Sequence, residues 1–147
     1  MEKFNYYTIK YFLNDVKLGI KNLILFAPII WKWRNWDFDY TMHLLSFSLK
    51  ELHKGIYVNG HHEFTLEQEQ RLKAAIRCLD RLGVDEYCEK DIEEYYKNYD
   101  FWDFKRPRTD KEMESIISIY EKGEELRKRD METFTSIFKN YYREWWT

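Results

Sequence analysis

Apolar residues recur at spacings of three and four along most of the chain. From about Thr8 to Phe26 they include Phe12, Val16, Leu23 and Ile24, which marks one face of a helix. Pro28 follows, and helix is disfavoured at the residue before a proline, so the first helix is expected to end there. Met42, Leu45, Leu49, Leu52 and Ile56 form a second stripe. Asp37 or Asp39 can N-cap it, and Gly60 closes it. Thr65-Leu66-Glu67-Gln68 is a capping box that opens a third helix. Leu72, Ala75, Ile76, Leu79 and Leu82 are its stripe, and Gly83 stands where a C′ glycine belongs. Asp85 to about Tyr99 reads as an acidic surface helix with a Tyr edge. A second capping box, Thr109-Asp110-Lys111-Glu112, opens the last helix. Met113, Ile116, Ile117 and Tyr120 carry its first half, and Phe134, Ile137, Phe138, Tyr141 and Trp145 its second. Gly123 and the charged run Glu124 to Asp130 interrupt that face, so a kink or break is expected between the halves.

The pattern predicts an all-α fold: a single-domain bundle of about five helices over residues 1–147, the last one long, with no sheet. Only five Gly and two Pro interrupt the chain, and that scarcity of breakers supports long helices. A chain of this length holds one sizeable core. No internal repeat or low-complexity linker divides it.

Charge narrows the function. A net charge of −2 argues against general nucleic-acid binding, which needs clustered Lys and Arg. It is also too small for a mimic of DNA. The run Asn22 to Trp33 is too short and too interrupted to span a bilayer. The first residues, MEKFNYYTIK, lack the apolar region and cleavage site of a signal peptide. Cys78 and Cys88 form no CxxC motif, which fits a reducing compartment. The cytoplasm is the expected location.

Chemistry concentrates in IIWKWRNWDFDY, residues 29–40. Trp31, Trp33 and Trp36 supply flat apolar area. Arg34 and Lys32 supply cations, and Asp37 and Asp39 supply carboxylates. The rings can plug a corner between helices, or they can line a site. His61-His62 after Gly60 is a second candidate, because in a loop both rings can face one pocket. His43 and His53 lie on the second helix. Zinc would want four N or S ligands at coherent spacing, and the nearest sulfur, Cys78, is mid-helix, so no metal site is assigned. Trp31, Arg34, Trp36 and Asp37 are expected to contact the Gly60–His62 turn, within one subunit or across two. The pairs Tyr6-Tyr7, Tyr95-Tyr96, Tyr141-Tyr142 and Trp145-Trp146 can each turn one ring inward and one toward a partner. Nucleophile elbows, HExxH and phosphate-cradling Gly loops are all missing from the sequence. No enzyme activity or cofactor is therefore expected.

The stretch IIWKWRNWD resembles a motif of a family of small tailed-bacteriophage proteins. The family's form is an apolar pair followed by Trp-Lys-Asp-Arg-Asp-Trp-Asp. Trp31, Lys32, Arg34, Trp36 and Asp37 match, while Trp33 and Asn35 stand where the family has acids. The resemblance continues in order through Leu49-Lys50 to Leu52, Gly60-His61-His62, Arg77 to Leu82, Asp85-Glu86-Tyr87, and the closing helix from Phe134 to Trp145-Trp146. It implies a phage origin, expression in the bacterial cytoplasm and, by analogy with small phage proteins, a counter-defence role. Two readings follow. In one, Trp31, Lys32, Arg34, Trp36, Asp37, His61 and His62 form a pocket that sequesters a nucleotide-type signal, by base stacking and phosphate pairing. In the other, exposed aromatics and the acidic helix bind and block a host defence protein such as a nuclease or effector. A homo-oligomer fits either reading.

Overall fold

The computed structural model describes residues 6–32, 34, 36–58, 65–98 and 107–145. Helix accounts for 89% of them, with no strand among them. The chain divides into two compact units, Met1–Trp36 and Asp37–Thr147.

The first unit is built on one helix, α1 (Tyr6–Ile30). It runs past Pro28 instead of stopping before it. Pro28 lies in the last turn, where a missing N–H removes only one intrahelical bond. The Trp31 amide still donates to the Ala27 carbonyl at 2.9 Å, and Lys32 closes a tighter turn on Ile29 at 3.2 Å.

The second unit holds α2 (Phe38–His53), α3 (Leu66–Val84), α4 (Glu89–Asn98) and α5 (Asp110–Tyr141). A π-helical turn, Lys54–Val58, extends α2, and a 3₁₀ turn, Tyr142–Trp145, extends α5. Gly60 lies outside the described residues. Both capping boxes form. Thr65 Oγ1 accepts from the Gln68 amide at 3.3 Å while Gln68 Oε1 accepts from the Thr65 amide at 2.8 Å. Thr109 and Glu112 repeat the exchange at 3.4 and 2.7 Å. Each box satisfies two amides that the first turn leaves without intrahelical partners.

The core lies between α2, α3 and the C-terminal half of α5. Met42, Leu49, Leu72, Leu79, Leu82, Phe134 and Trp145 are buried there. The α2 and α3 stripes face inward as the sequence predicts, joined by the small residues Ser46 and Cys78. The first half of α5 departs from its stripe. Ile116 is buried, whereas Met113, Ile117 and Tyr120 are exposed.

Two glycines have packing roles in place of the breaks expected of them. Gly83 is not a C′ residue, because α3 continues through Val84. A Cβ on Gly83 would lie 3.0 Å from the His43 ring, so its absence lets α2 approach α3. Gly123 does not break α5, which runs 32 residues without interruption, about 48 Å at 1.5 Å per residue. A Cβ there would meet Cys88 Cβ at 3.2 Å, so Gly123 makes room for the turn before α4.

The left-handed residue after α3 is Asp85, with φ 54° and ψ 29°. Its position delays α4, which begins at Glu89 and not at Asp85. A non-glycine residue in this conformation carries steric strain. Asp85→Gly is therefore expected to raise stability by about 0.5–1 kcal/mol. The lost ion pair to Arg127, at 3.7 Å and partly exposed, offsets only a few tenths. Thermal melting checks this, and a lower melting temperature would show that the ion pair outweighs the strain.

Candidate functional site

The Trp-rich segment follows α1 as a turn. Trp31 is 90% exposed and Trp36 81% exposed, and Lys32 and Arg34 are exposed as well. Neither ring is buried. They are the most exposed large apolar side chains described, at odds with the usual preference of Trp for burial. Trp33, His61 and His62 lie outside the described residues, as does the Gly60–His62 turn that the segment was expected to touch.

Asp37 has a structural role at the start of the second unit. Its carboxylate accepts from the Asp39 amide at 3.1 Å and N-caps α2. Beside it, Arg127 from α5 stands among Asp39, Asp85 and Glu124 at 3.8, 3.7 and 3.6 Å. Burial and the neighbouring charges of Asp85 and Asp37 push the Asp39 carboxyl up, against the pull of Arg127.

The two described histidines also pack structurally. His53 Nε2 lies 3.0 Å from Glu69 Oε1, and its ring stacks on Tyr57 at 5.1 Å. Lys73 reaches the same Glu69 oxygen at 2.6 Å. Hydrogen bonds from Lys73 and His53 hold the Glu69 carboxyl below the usual range. Among the described residues no group of three or more His, Cys, Asp or Glu is placed to hold a metal ion. Cys78 and Cys88 are both free thiols, and burial pushes the Cys78 thiol up.

The sequence reading missed one polar network. Asp130, on α5, is 4% exposed. Arg81 donates to both of its oxygens, from Nε and Nη2, each at 2.6 Å. The Tyr87 hydroxyl donates to Oδ2 at 2.8 Å. The Arg81 hydrogen bonds hold the Asp130 carboxyl below its ordinary value, while burial and the same carboxylate push the Tyr87 hydroxyl up. A buried charge held by a bidentate guanidinium and a phenol is well satisfied, and it ties α5 to α3 and to the turn before α4. A visible signal was the register of Asp130, four residues before Phe134 on the buried stripe.

Beside this network lies an open cleft of about 450 Å³, lined by Asp80, Arg81, Val84, Glu86, Tyr87 and Lys90. Its charges have mixed sign. Arg81 is engaged by Asp130, and Asp80 by Ser46 at 2.5 Å and Lys50 at 2.6 Å. The cleft thus shows no convergent set of charges for a phosphate or carboxylate ligand. On α4, Glu89, Glu93 and Glu94 are exposed, while Asp91 pairs with Lys122 at 2.6 Å. Tyr95 turns inward and donates to the Glu112 carbonyl at 3.3 Å.

Among the described residues no helix is long and apolar enough to cross a membrane. Comparison with protein-family models, curated proteins and solved structures gives no significant match.

Proposed function

We propose that the chain is a non-enzymatic binding protein that engages another protein through the aromatic segment at Trp31, Lys32, Arg34 and Trp36. The observation that carries this reading is the exposure of Trp31 and Trp36, at 90% and 81%. Holding two indoles in water forgoes their burial energy, and Trp and Arg dominate the binding energy of protein interfaces. A base-stacking pocket would instead enclose its rings. Exposure thus favours the partner-blocking reading over nucleotide sequestration. The acidic surface of α4 suits a basic patch, such as the nucleic-acid groove of a nuclease. In the setting implied by the resemblance to phage proteins, the partner is a host defence protein.

The test is Arg34→Ala and Trp31→Ala, each measured for melting temperature and for protection in a phage-defence assay. Arg34 is exposed, so its loss should cost less than about 1 kcal/mol of stability. Protection should fall at least tenfold while melting stays unchanged. Loss of both together would make the segment structural. Unchanged protection would remove it from the site. A nucleotide that co-purifies with the wild type and is lost from Arg34→Ala, read by native mass spectrometry, would restore the sequestration reading.

A further inference from the structure

Among the described residues of the first unit, α1 is the one helix. Seven of its apolar positions form an unbroken series. Ile9, Val16, Leu23 and Ile30 repeat every seven residues, and Leu13, Ile20 and Ala27 repeat every seven between them. The steps alternate four and three through the helix, and no charged or polar residue enters the series. A seven-residue apolar repeat is the seam of a left-handed coiled coil, in which the first set takes d positions and the second a positions.

The seam is open. Ile9, Leu13, Val16, Ile20, Leu23 and Ile30 are between 42% and 69% exposed. Phe12 and Ile24, which flank it, are 64% and 70% exposed. With on the order of 70–100 Å² recoverable per large side chain, the face offers roughly 700 Å² per helix, close to the 800 Å² per partner of a stable interface. Lys21 and Pro28 lie on the outer side, while Lys10 and Lys17 flank the seam at e positions, where long side chains can lay their stems along it and keep the ammonium in water.

The residue types at the seam set the copy number. Two-stranded coils favour β-branched residues at a and Leu at d. Here d holds Ile9, Val16 and Ile30 with one Leu, and a begins with Leu13, the pattern that shifts association to three or four strands. Phe12 at a g position and Ile24 at an e position widen the apolar face beyond a two-stranded seam, toward the wider stripe of a bundle helix.

We infer that α1 assembles with α1 of other copies of this chain into a three- or four-stranded coiled coil, so that the protein is a homo-oligomer displaying several copies of its aromatic segment. The occupant of the open face is a like helix because the seam repeat itself is self-complementary. The inference is independent of which partner the aromatic segment binds.

The experiment is sedimentation equilibrium on the full chain at tens of micromolar, with a protomer mass of 18.4 kDa. The expected mass is three or four times that value. Ile20→Asp, at an a position, should reduce it to one protomer while the melt of the second unit is retained. Leu18→Asp, exposed but off the seam, should leave the mass unchanged. A monomeric or dimeric wild type would overturn the inference, with no variant needed. Equal disruption by Leu18→Asp would also overturn it, because association would then follow general apolarity and not the seam. A monomer that sediments with phosphatidylglycerol vesicles would assign the face to a lipid surface instead.

Discussion

Trp145→Ala is expected to be the most damaging single substitution in the core, costing about 3–5 kcal/mol of unfolding free energy. Trp145 is 1% exposed and is the largest fully buried side chain among the described residues. It closes the core from the 3₁₀ turn after α5 and meets Phe138 edge-on, with ring centroids 6.0 Å apart. Its indole N–H is buried with no acceptor among the described residues, so the ring contributes by packing. Trp145→Phe keeps much of that area and is expected to cost less than half as much. Phe138→Ala, at 37% exposure, should fall between them. Urea unfolding of the three variants checks the order. A loss from Trp145→Ala no larger than that from Phe138→Ala would show that α5 is not anchored at this end.

Asp130→Ala is expected to cost about 2–4 kcal/mol, at or below the usual range for breaking a buried ion pair, because half-exposed Arg81 can turn to water. Tyr87, by contrast, loses its acceptor inside the protein. The same carboxylate sets the acid limb of stability. Its folded pKa is depressed by Arg81, so its contribution is fully present above the unfolded value near 4 and disappears as pH falls through the lower folded value. Glu69 has the same sign. Asp39 has the opposite one. Its pKa is raised, so any contribution from it is present at low pH and lost as pH rises through the folded value. Melting temperature from pH 7 to pH 2 should therefore fall more steeply in the wild type than in Asp130→Asn. Parallel curves would remove Asp130 from the acid transition.

The caps and the paired stripes of α2 and α3 were legible in the sequence because local chemistry decides them. Thr65 and Thr109 find their partners three residues away, and Leu72 to Leu82 needs only one face. Asp130 was misread for the converse reason. A carboxylate in a charged run reads as solvated until Arg81, 49 residues earlier, is known to meet it. The two glycines at positions 83 and 123 were expected to punctuate helices, whereas His43 and Cys88 require their missing side chains. Pro28 was expected to end α1, but a proline in a final turn costs too little to do so. The Trp-rich segment was visible as a cluster. Sequence alone could not say that Trp31 and Trp36 stay in water, since the same rings could fill a core.

The closure of the core by Trp145 has a consequence during synthesis. Once α2 and α3 have left the ribosome they can pair, but the apolar surface awaiting α5 stays bare. The Arg81 guanidinium likewise awaits Asp130. About sixty more residues must be made before Trp145 arrives, which at 5–20 residues per second takes roughly 3–12 s. For that interval the nascent chain shows an open two-helix face, and a chaperone that recognises apolar helices would meet this protein most strongly between the completion of α3 and the emergence of α5.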